Sequence, residues 1–335
     1  RFIAASPRTH PRFNAPRHDD VPRVAGPGPG GFEVRYAKMD MHVHSCFSVE
    51  AIPGVSGVTF SPRETPDELV ARAKARGMDF VTITDHDTID GCLDFLARHP
   101  DAHDFVVGEE DSTPLPARRL TVHINVYGHT ERQHRELQRR RASAFEVAHY
   151  CHDEGLFFCW NHPFYRENLS TIEEGEFMRL VAEVPVLEVR NGGRMQILNV
   201  LAEEVAVREG KAMQGGSDTH TGEIGAVYTA VPAATPEGFF AGILARESRI
   251  VGHHSTRKSF LLHNLLAGTR HTVAANLRRA STPRRARVLV YGLLAVTLSP
   301  WIVRRHFRGQ LAMARIALDR LSTFGHLPAS VLDAA

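Results

Sequence analysis

Six short segments rich in histidine and acid follow one another along the chain, and they constrain its fold more than any other feature. They are Asp40-Met41-His42-Val43-His44, Thr84-Asp85-His86-Asp87, Gly108-Glu109-Glu110, His123, Asn161-His162-Pro163 and Ser217-Asp218-Thr219-His220. Imidazole and carboxylate are the side chains that hold zinc, manganese and iron. Most of these segments follow an apolar run that reads as a strand, among them Met39–Val43, Phe80–Ile83, Phe105–Val107, Leu120–Val126, Leu156–Trp160 and Ala212–Gln214. A further strand is expected at Val186–Val189. Helices are expected from the cap at Thr65-Pro66-Asp67-Glu68 to Gly77, over Glu131–Glu154, about Ile172–Val184 and about Met195–Glu209. Repeated strand–helix units predict parallel strands with helices outside. Functional residues of such barrels sit at strand C-terminal ends, where most of the candidate ligands fall.

Spacing assigns some residues to faces. His42 and His44 alternate along a strand and share one side, which suits two imidazoles gripping one ion. Asp40 shares their parity and is expected to orient a ligand imidazole from behind. Asp218 and His220 alternate in the same way, and Gly215-Gly216 before them permits close backbone approach. Glu109 falls on the face opposite Glu110, as a solvated charge or structural pair. Asp85 is read as a supporting carboxylate and Asp87 as a cap. His162 precedes Pro163 and is therefore expected to be extended.

The wording and order of these segments resemble the PHP family, named for polymerase and histidinol phosphatase, over about residues 38–255. "DMHVHS" resembles its opening motif and "ITDHDTIDG" its second. "GEE" resembles its Gly-x-Glu, "WNHP" its His-Pro and "GGSDTH" its Ser-Asp-x-His. The resemblance implies a distorted seven-stranded (β/α) barrel of PHP type, here α/β with a C-terminal helical extension. It implies His86 and His123 as ligands, and Glu110 as the carboxylate bridging two metals. The implied metal set is His42, His44, Glu50, His86, Glu110, His123, His162, Asp218 and His220. Glu50 stands equally as an exposed loop acid, so the site takes two or three divalent ions of zinc, manganese or iron.

Clustered divalent metals activate water and polarise phosphoryl oxygens. The expected function is hydrolysis of a phosphate ester by such a water, with Glu110, Asp218 and His220 as catalytic residues. Ser45 and Ser217 are read as hydrogen-bonding loop residues. Arg166, Arg190 and Asn191 are candidates for substrate binding, and Arg194 stands beside them, because guanidinium suits phosphate. "TDHDT" resembles members acting on nucleotides and short oligonucleotides. Only 38 residues separate His123 from His162, where those members commonly carry a large insertion. Two other readings stand beside the small phosphorylated substrate. One is a nuclease or oligonucleotide phosphoesterase, the other a non-catalytic metal-bound module anchored by its tail.

Three parts are expected: an arm at 1–35 rich in Pro, Arg and Gly, a catalytic barrel at 36–256, and a basic helical extension at 257–335. The extension holds 13 of the 40 basic residues but 2 of the 38 acids. Such asymmetry suggests an anionic partner, nucleic acid or a membrane surface. Its uncharged run Val288–Val303 has sixteen residues, short of the roughly 20 that span a bilayer. A helix buried against the barrel or a second subunit is favoured over an interfacial anchor, with a bend at Pro300. Four cysteines without a Cys-x-x-Cys pair read as reduced thiols of a cytoplasmic protein, peripheral membrane association being the alternative. The opening residues lack the basic-then-apolar pattern of a secretory signal.

Overall fold

The computed structural model describes residues 35–51, 59–60, 62–116, 120–164, 173–279 and 282–324. The expected arm lies outside the described residues except for Arg35, as do Arg166 and the side chain of Glu50. The first half of the chain forms β1 (Tyr36–Met39), β2 (Glu50–Ala51), β3 (Thr59–Phe60), α1 (Pro66–Ala75), β4 (Val81–Ile83), α2 (Asp90–Arg98), β5 (Phe105–Leu115), β6 (Leu120–Tyr127), α3 (Glu131–Arg140) and α4 (Ala144–Asp153). Next come β7 (Phe157–Asn161), α5 (Glu174–Glu183), β8 (Val186–Asn191), α6 (Gln196–Arg208), β9 (Ala212–Gly216), β10 (Val227–Pro232), α7 (Pro236–Leu244) and β11 (Arg249–Gly252). The extension comprises α8 (Arg257–Ser259), a π-helical stretch (Phe260–Ala267), α9 (Gly268–Arg279), α10 (Thr282–Thr297) and α11 (Ser299–Arg320).

Local chemistry accounts for several boundaries. α1 starts where Thr65 accepts from the Glu68 backbone and Glu68 reaches back to Thr65, with Pro66 in the first turn. The single long helix expected over 131–154 is instead two. Ser143 takes an extended backbone between α3 and α4, so the chain turns there.

β4 to β9 form one six-stranded sheet in sequence order. It is mixed, where a parallel sheet was expected: β6 runs antiparallel to both β5 and β7, while β4/β5, β7/β8 and β8/β9 are parallel. The reason is chain length. Four residues separate β5 from β6, whereas a parallel crossover needs a dozen or more. A second, antiparallel sheet has the order β1-β10-β11.

A seventh strand of the kind expected is not a member of the six-stranded sheet. The segment after β1 instead makes isolated backbone hydrogen bonds beyond both of its edges. The Thr84 amide donates to the Val43 carbonyl (2.7 Å), just beyond β4. On the other side the Asp218 amide donates to His42 (2.8 Å) and the His44 amide to Thr219 (3.1 Å), just beyond β9. The histidine-bearing segment is therefore tied to the residues that follow both edge strands of the sheet.

The extension divides in two. In α11 Val303, Phe307, Ala314 and Ala317 are buried in the same core as Leu198, Leu201, Ala202 and Val205 of α6. The Met195 amide donates to the Gln310 side chain there (2.7 Å). The burial expected of the run Val288–Val303 is largely not found: Val288, Ala295 and Val303 are buried, but Leu289, Val290, Leu293, Leu294 and Val296 of α10 are exposed, as are Leu298 and Trp301 that follow it. Among the described residues no single helix is long and apolar enough to cross a membrane. Arg285–Thr297 and Ser299–Arg320 reach that composition only together and are bent by 71°. Pro300 lies in the first turn of α11, where its ring is tolerated, at the bend expected from sequence.

Two histidines under the extension give a pH dependence. Burial, with Arg190 nearby, holds His254 down at about 4. Burial, with Arg194 nearby, does the same to His306, which stacks on Phe260 at 3.9 Å between ring centres. The folded value lies below the ordinary 6.5, so the unfolded chain takes each proton first. The contribution is complete above pH about 6.5 and is lost as pH falls toward 4, on the order of 2 kcal/mol for each group. Thermal melts of metal-free protein should show falling Tm across that window. His306→Gln should flatten the slope, and an unchanged slope in that variant would contradict the assignment.

Candidate metal centre

The centre is built around Glu110, which is fully buried in the middle of β5. Its two oxygens face different histidines. Oε2 lies 3.1 Å from His42 Nε2, 3.3 Å from His44 Nε2 and 3.2 Å from His86 Nδ1. Oε1 lies 3.1 Å from His123 Nδ1 and 3.4 Å from His162 Nε2, and accepts from Asn161 Nδ2 at 2.8 Å. The structure thus brings together His42, His44, His86, Glu110, His123 and His162. Asp218 joins them, its Oδ1 lying 3.6 Å from His42 Nε2 and 3.4 Å from His44 Nε2. His220 stacks on His44 at 4.2 Å between ring centres.

The donor atoms fit divalent ions. His42 Nε2 and His44 Nε2, both buried, lie 3.1 Å apart. Two ligands of one tetrahedral ion, bonded at about 2.0–2.1 Å, stand roughly 3.3 Å apart. At this centre four sets of three donors have their atoms within 4.8 Å of one another: His42/His44/Glu110, His86/Glu110/His123, His44/His86/His220 and His42/His162/Glu188. Electrostatics favour the ligating forms of the two carboxylates and of His162. His42 is the exception: against its burial, Glu110, Asp218 and Glu188 push it well above its ordinary value, so an ion there would have to displace its proton. Burial opposes ionisation of Glu110, but the His42, His123 and His86 charges outweigh it and hold the carboxylate well below its usual range. Asp218 is likewise driven up by burial and more strongly down by His42 and Arg194. Burial holds His162 at about 4, so its imidazole keeps its lone pair at neutral pH.

Glu188 is the residue that sequence reasoning passed over. It is fully buried on β8. Its Oε1 lies 2.9 Å from His42 Nδ1, and its Oε2 accepts from the His162 amide (2.9 Å) and from Asn191 Nδ2 (2.9 Å). The available signal was one acid inside the apolar run Val186-Leu187-Glu188-Val189. Glu188, not Asp40, orients an imidazole. Asp40 instead accepts from the backbone amides of His42, Ser217 and Gly225, so it fixes two ligand-bearing loops. Burial raises Asp40 to about 6 against these bonds. Removing Glu188 should therefore be felt by the metal. Glu188→Gln is expected to weaken metal affinity 10–100-fold, as loss of an imidazole-orienting carboxylate does elsewhere. Titration of the apo-protein with Mn²⁺ or Zn²⁺ checks this, and wild-type affinity would contradict the role.

The substrate-side expectations are corrected in part. β8 carries a bulge between Glu188 and Arg190. An extra residue reverses the alternation, so Arg190 leaves the centre and lines a separate cavity of about 260 Å³ with Glu203, Lys211 and Arg246. Asn191 takes the inward place, but it is fully buried and donates to Glu188 and to Asp218 Oδ2 (3.1 Å), which leaves it no substrate face. Arg194 reaches the centre, its Nη2 lying 3.1 Å from Asp218 Oδ2.

Other residues support the ligand loops. Asp85 accepts from the Ser45 amide and hydroxyl at 2.6 Å each. Ser217 is anchored to Asp40 by its amide. Asp87 accepts from the Ser112 amide at 2.8 Å and pairs with Arg141. Gly216 is required for close approach, because a Cβ there would stand 2.6 Å from the His42 amide nitrogen. His162 is not extended: its φ is 29°, and Asp218 has φ 52°. Such conformations cost on the order of 1–3 kcal/mol and persist where surroundings over-determine them. Here the Glu188 and Glu110 carboxylates hold both ends of His162.

A cavity of about 360 Å³ opens beside His220, lined by Phe60, Arg63, Glu64, Arg270, His271 and Arg278 among others. One wall belongs to β3 and α1's approach, the other to α9 of the extension.

Residues 196–248, from α6 to the turn after α7, match the family model described as PHP-associated. That stretch contains Asp218 and His220 and bears out the PHP resemblance drawn from the motifs. No curated protein matches the sequence. Among solved structures, a two-domain protein from Bacteroides vulgatus containing a predicted PHP-like metal-dependent phosphoesterase is similar at 18% identity and a TM-score of 0.48. The match covers 65% of this chain and 65% of that one, so this chain spans about two thirds of its length. An amidohydrolase from Chromobacterium violaceum, solved with bound sulfate and no metal, is similar at 18% identity and TM-score 0.45, over 64% and 97% of the two chains. PsfC from Pseudomonas syringae is similar at 18% and 0.45, over 73% and 98%. Likeness at this level carries no residue role across.

Proposed function

The chain carries a PHP-associated segment, and from that premise we propose that it is a metal-dependent hydrolase of small phosphate esters with a centre of two or three divalent ions. The observation that supports this most is the division of Glu110, whose two oxygens serve two groups of histidines as a carboxylate shared between ions would. His42, His44, His86, Glu110, His123, His162, Asp218 and His220 would hold the ions. Divalent metals bound there supply an activated water and polarise a phosphoryl oxygen. The residues do the rest. Glu110 and Asp218 remain ionised in a buried site, Glu188 aims His42, and Arg194 and Asn191 restrain Asp218. His220 Nδ1 lies 3.1 Å from the Asp218 carbonyl, which can only accept. Nδ1 therefore carries the proton, and Nε2 carries the lone pair that binds an ion or relays a proton.

The cavity beside His220 favours a small anionic substrate. Arg63, Arg270 and Arg278 converge there, with Phe60 as an apolar face. Its volume falls at the lower end of small-ligand sites. A polymer would need a continuing groove, so a short nucleotide or sugar phosphate fits better than nucleic acid. The test is hydrolysis by the metal-loaded protein of a panel of monoesters, diesters, nucleotides and short oligonucleotides. Monoester turnover supports the reading. Turnover confined to oligonucleotides favours the nuclease, and none with any metal favours the non-catalytic module.

A specific observation also favours a lipid partner for the extension. The exposed stripe from Leu289 to Trp301 is flanked by exposed Arg285 and Arg287 on one side and Arg304, Arg305 and Arg308 on the other. Contiguous apolar patches of this kind mark interaction surfaces, and basic flanks suit anionic headgroups.

A further inference from the structure

The opposite face of β5 carries a second cluster of metal-binding groups that the centre does not use. Glu109 is fully buried there by strand alternation, one residue from Glu110. His129 follows β6 and is 3% exposed, and His134 lies in the first turns of α3. His129 Nε2 stands 2.8 Å from Glu109 Oε1, and His134 Nδ1 stands 2.7 Å from Glu109 Oε2. One donor atom from each residue lies within 4.8 Å of the others.

Two observations distinguish this cluster from an ordinary hydrogen-bonded histidine. Among the described residues, neither ring nitrogen of buried His129 has a hydrogen-bond partner, and neither has Glu109 Oε1, although the two face each other at 2.8 Å. The nitrogen and the oxygen are close but misaligned for a hydrogen bond, and a small widening would bring them to the separation of two ligands of one ion. Secondly, Asp111 lies on the same face two residues on, fully buried, with its Oδ2 also unpartnered. Gln138 Nε2 lies between, 3.2 Å from Glu109 and 3.0 Å from Asp111. Two buried carboxylates side by side must share a proton or have a cation between them.

We propose that Glu109, His129 and His134 bind one ion of the zinc class, apart from the catalytic centre, with water or Asp111 completing the shell. Two imidazoles and a carboxylate form a donor set suited to zinc or cobalt. The ion ties α3 and the exit of β6 to β5, and so braces the strand that carries Glu110.

The experiment uses the full chain and Co²⁺, which reports tetrahedral coordination by visible absorption. With the catalytic centre disabled by His42→Asn and Glu110→Gln, the protein is expected to bind one Co²⁺ with tetrahedral-type absorption. Adding His129→Ala and His134→Gln should weaken that binding at least 100-fold. Absence of the spectrum, or its survival without both histidines, overturns the proposal. Should the disabled protein fail to fold, the count of bound metal in otherwise wild-type His134→Gln decides. A fall of one equivalent supports the site, and an unchanged count overturns it.

Discussion

Glu110→Gln should abolish phosphate-ester hydrolysis, with a loss of at least 100-fold at saturating metal, while the barrel stays folded. The substitution keeps volume and removes the charge. Five imidazoles lie within 3.4 Å of this carboxylate. An amide offers them one neutral acceptor oxygen, and its NH2 presents hydrogens toward nitrogens whose lone pairs should face an ion. Loss of a carboxylate that merely orients a ligand costs 10–100-fold, so loss of the shared ligand should cost more. Metal content should fall in parallel. Turnover of p-nitrophenyl phosphate and bis-p-nitrophenyl phosphate, with elemental analysis of the same samples, checks both. Glu109→Gln is the control on strand register, since its side chain lies against His129 and His134 on the other face. It should lose the ion proposed there, yet retain far more activity than Glu110→Gln. If Glu109→Gln is the inactive one, the catalytic centre has been assigned to the wrong face of β5.

The sequence made legible what depends on local spacing. His-x-His and Asp-x-His place two side chains on one face of an extended chain. The Thr65/Glu68 cap marks a helix start, and Gly216 marks close packing on His42. It concealed what depends on a neighbour. Glu188 reads as one acid in an apolar strand, and its partners arrive from 146 and 26 residues away. The bulge that turns Arg190 outward and Asn191 inward comes from pairing with β9, which no pattern within 186–191 reveals. The rule that a residue before proline is extended failed at His162, where the buried Glu188 carboxylate binds the backbone amide and Glu110 faces the ring. Parallel strands were inferred from repeated strand–helix units, but the short β5–β6 connection required an antiparallel pair. For α10, apolar character alone could not decide between burial and exposure. That depends on whether the fold supplies a surface to cover it.

The same ambiguity makes the lipid prediction for the extension a strong one. The full-length protein should float with vesicles containing anionic lipid, and part of the binding should survive high salt. Arginine attraction of about 1 kcal/mol per residue near the surface is screened within a Debye length. Burial of the apolar stripe is not. Truncation at residue 256 is the wrong test, because α11 and the turn after it bury Val303, Phe307, Leu321 and Phe324 in the barrel core. At about 1.5–3 kcal/mol for each large apolar side chain, their loss approaches the total stability of an ordinary domain, about 5–15 kcal/mol. Point substitutions on the exposed stripe leave that core intact. Leu293 and Leu294 are 64% and 49% exposed, so Leu293→Glu with Leu294→Glu should change Tm little while abolishing the salt-resistant binding. Binding that vanishes entirely at high salt in the wild type would reduce the contact to arginine and headgroup alone. If the full-length protein ignores vesicles and instead dimerises through this stripe, with the double substitution yielding monomers, the apolar face belongs to a second copy of the chain and not to a membrane.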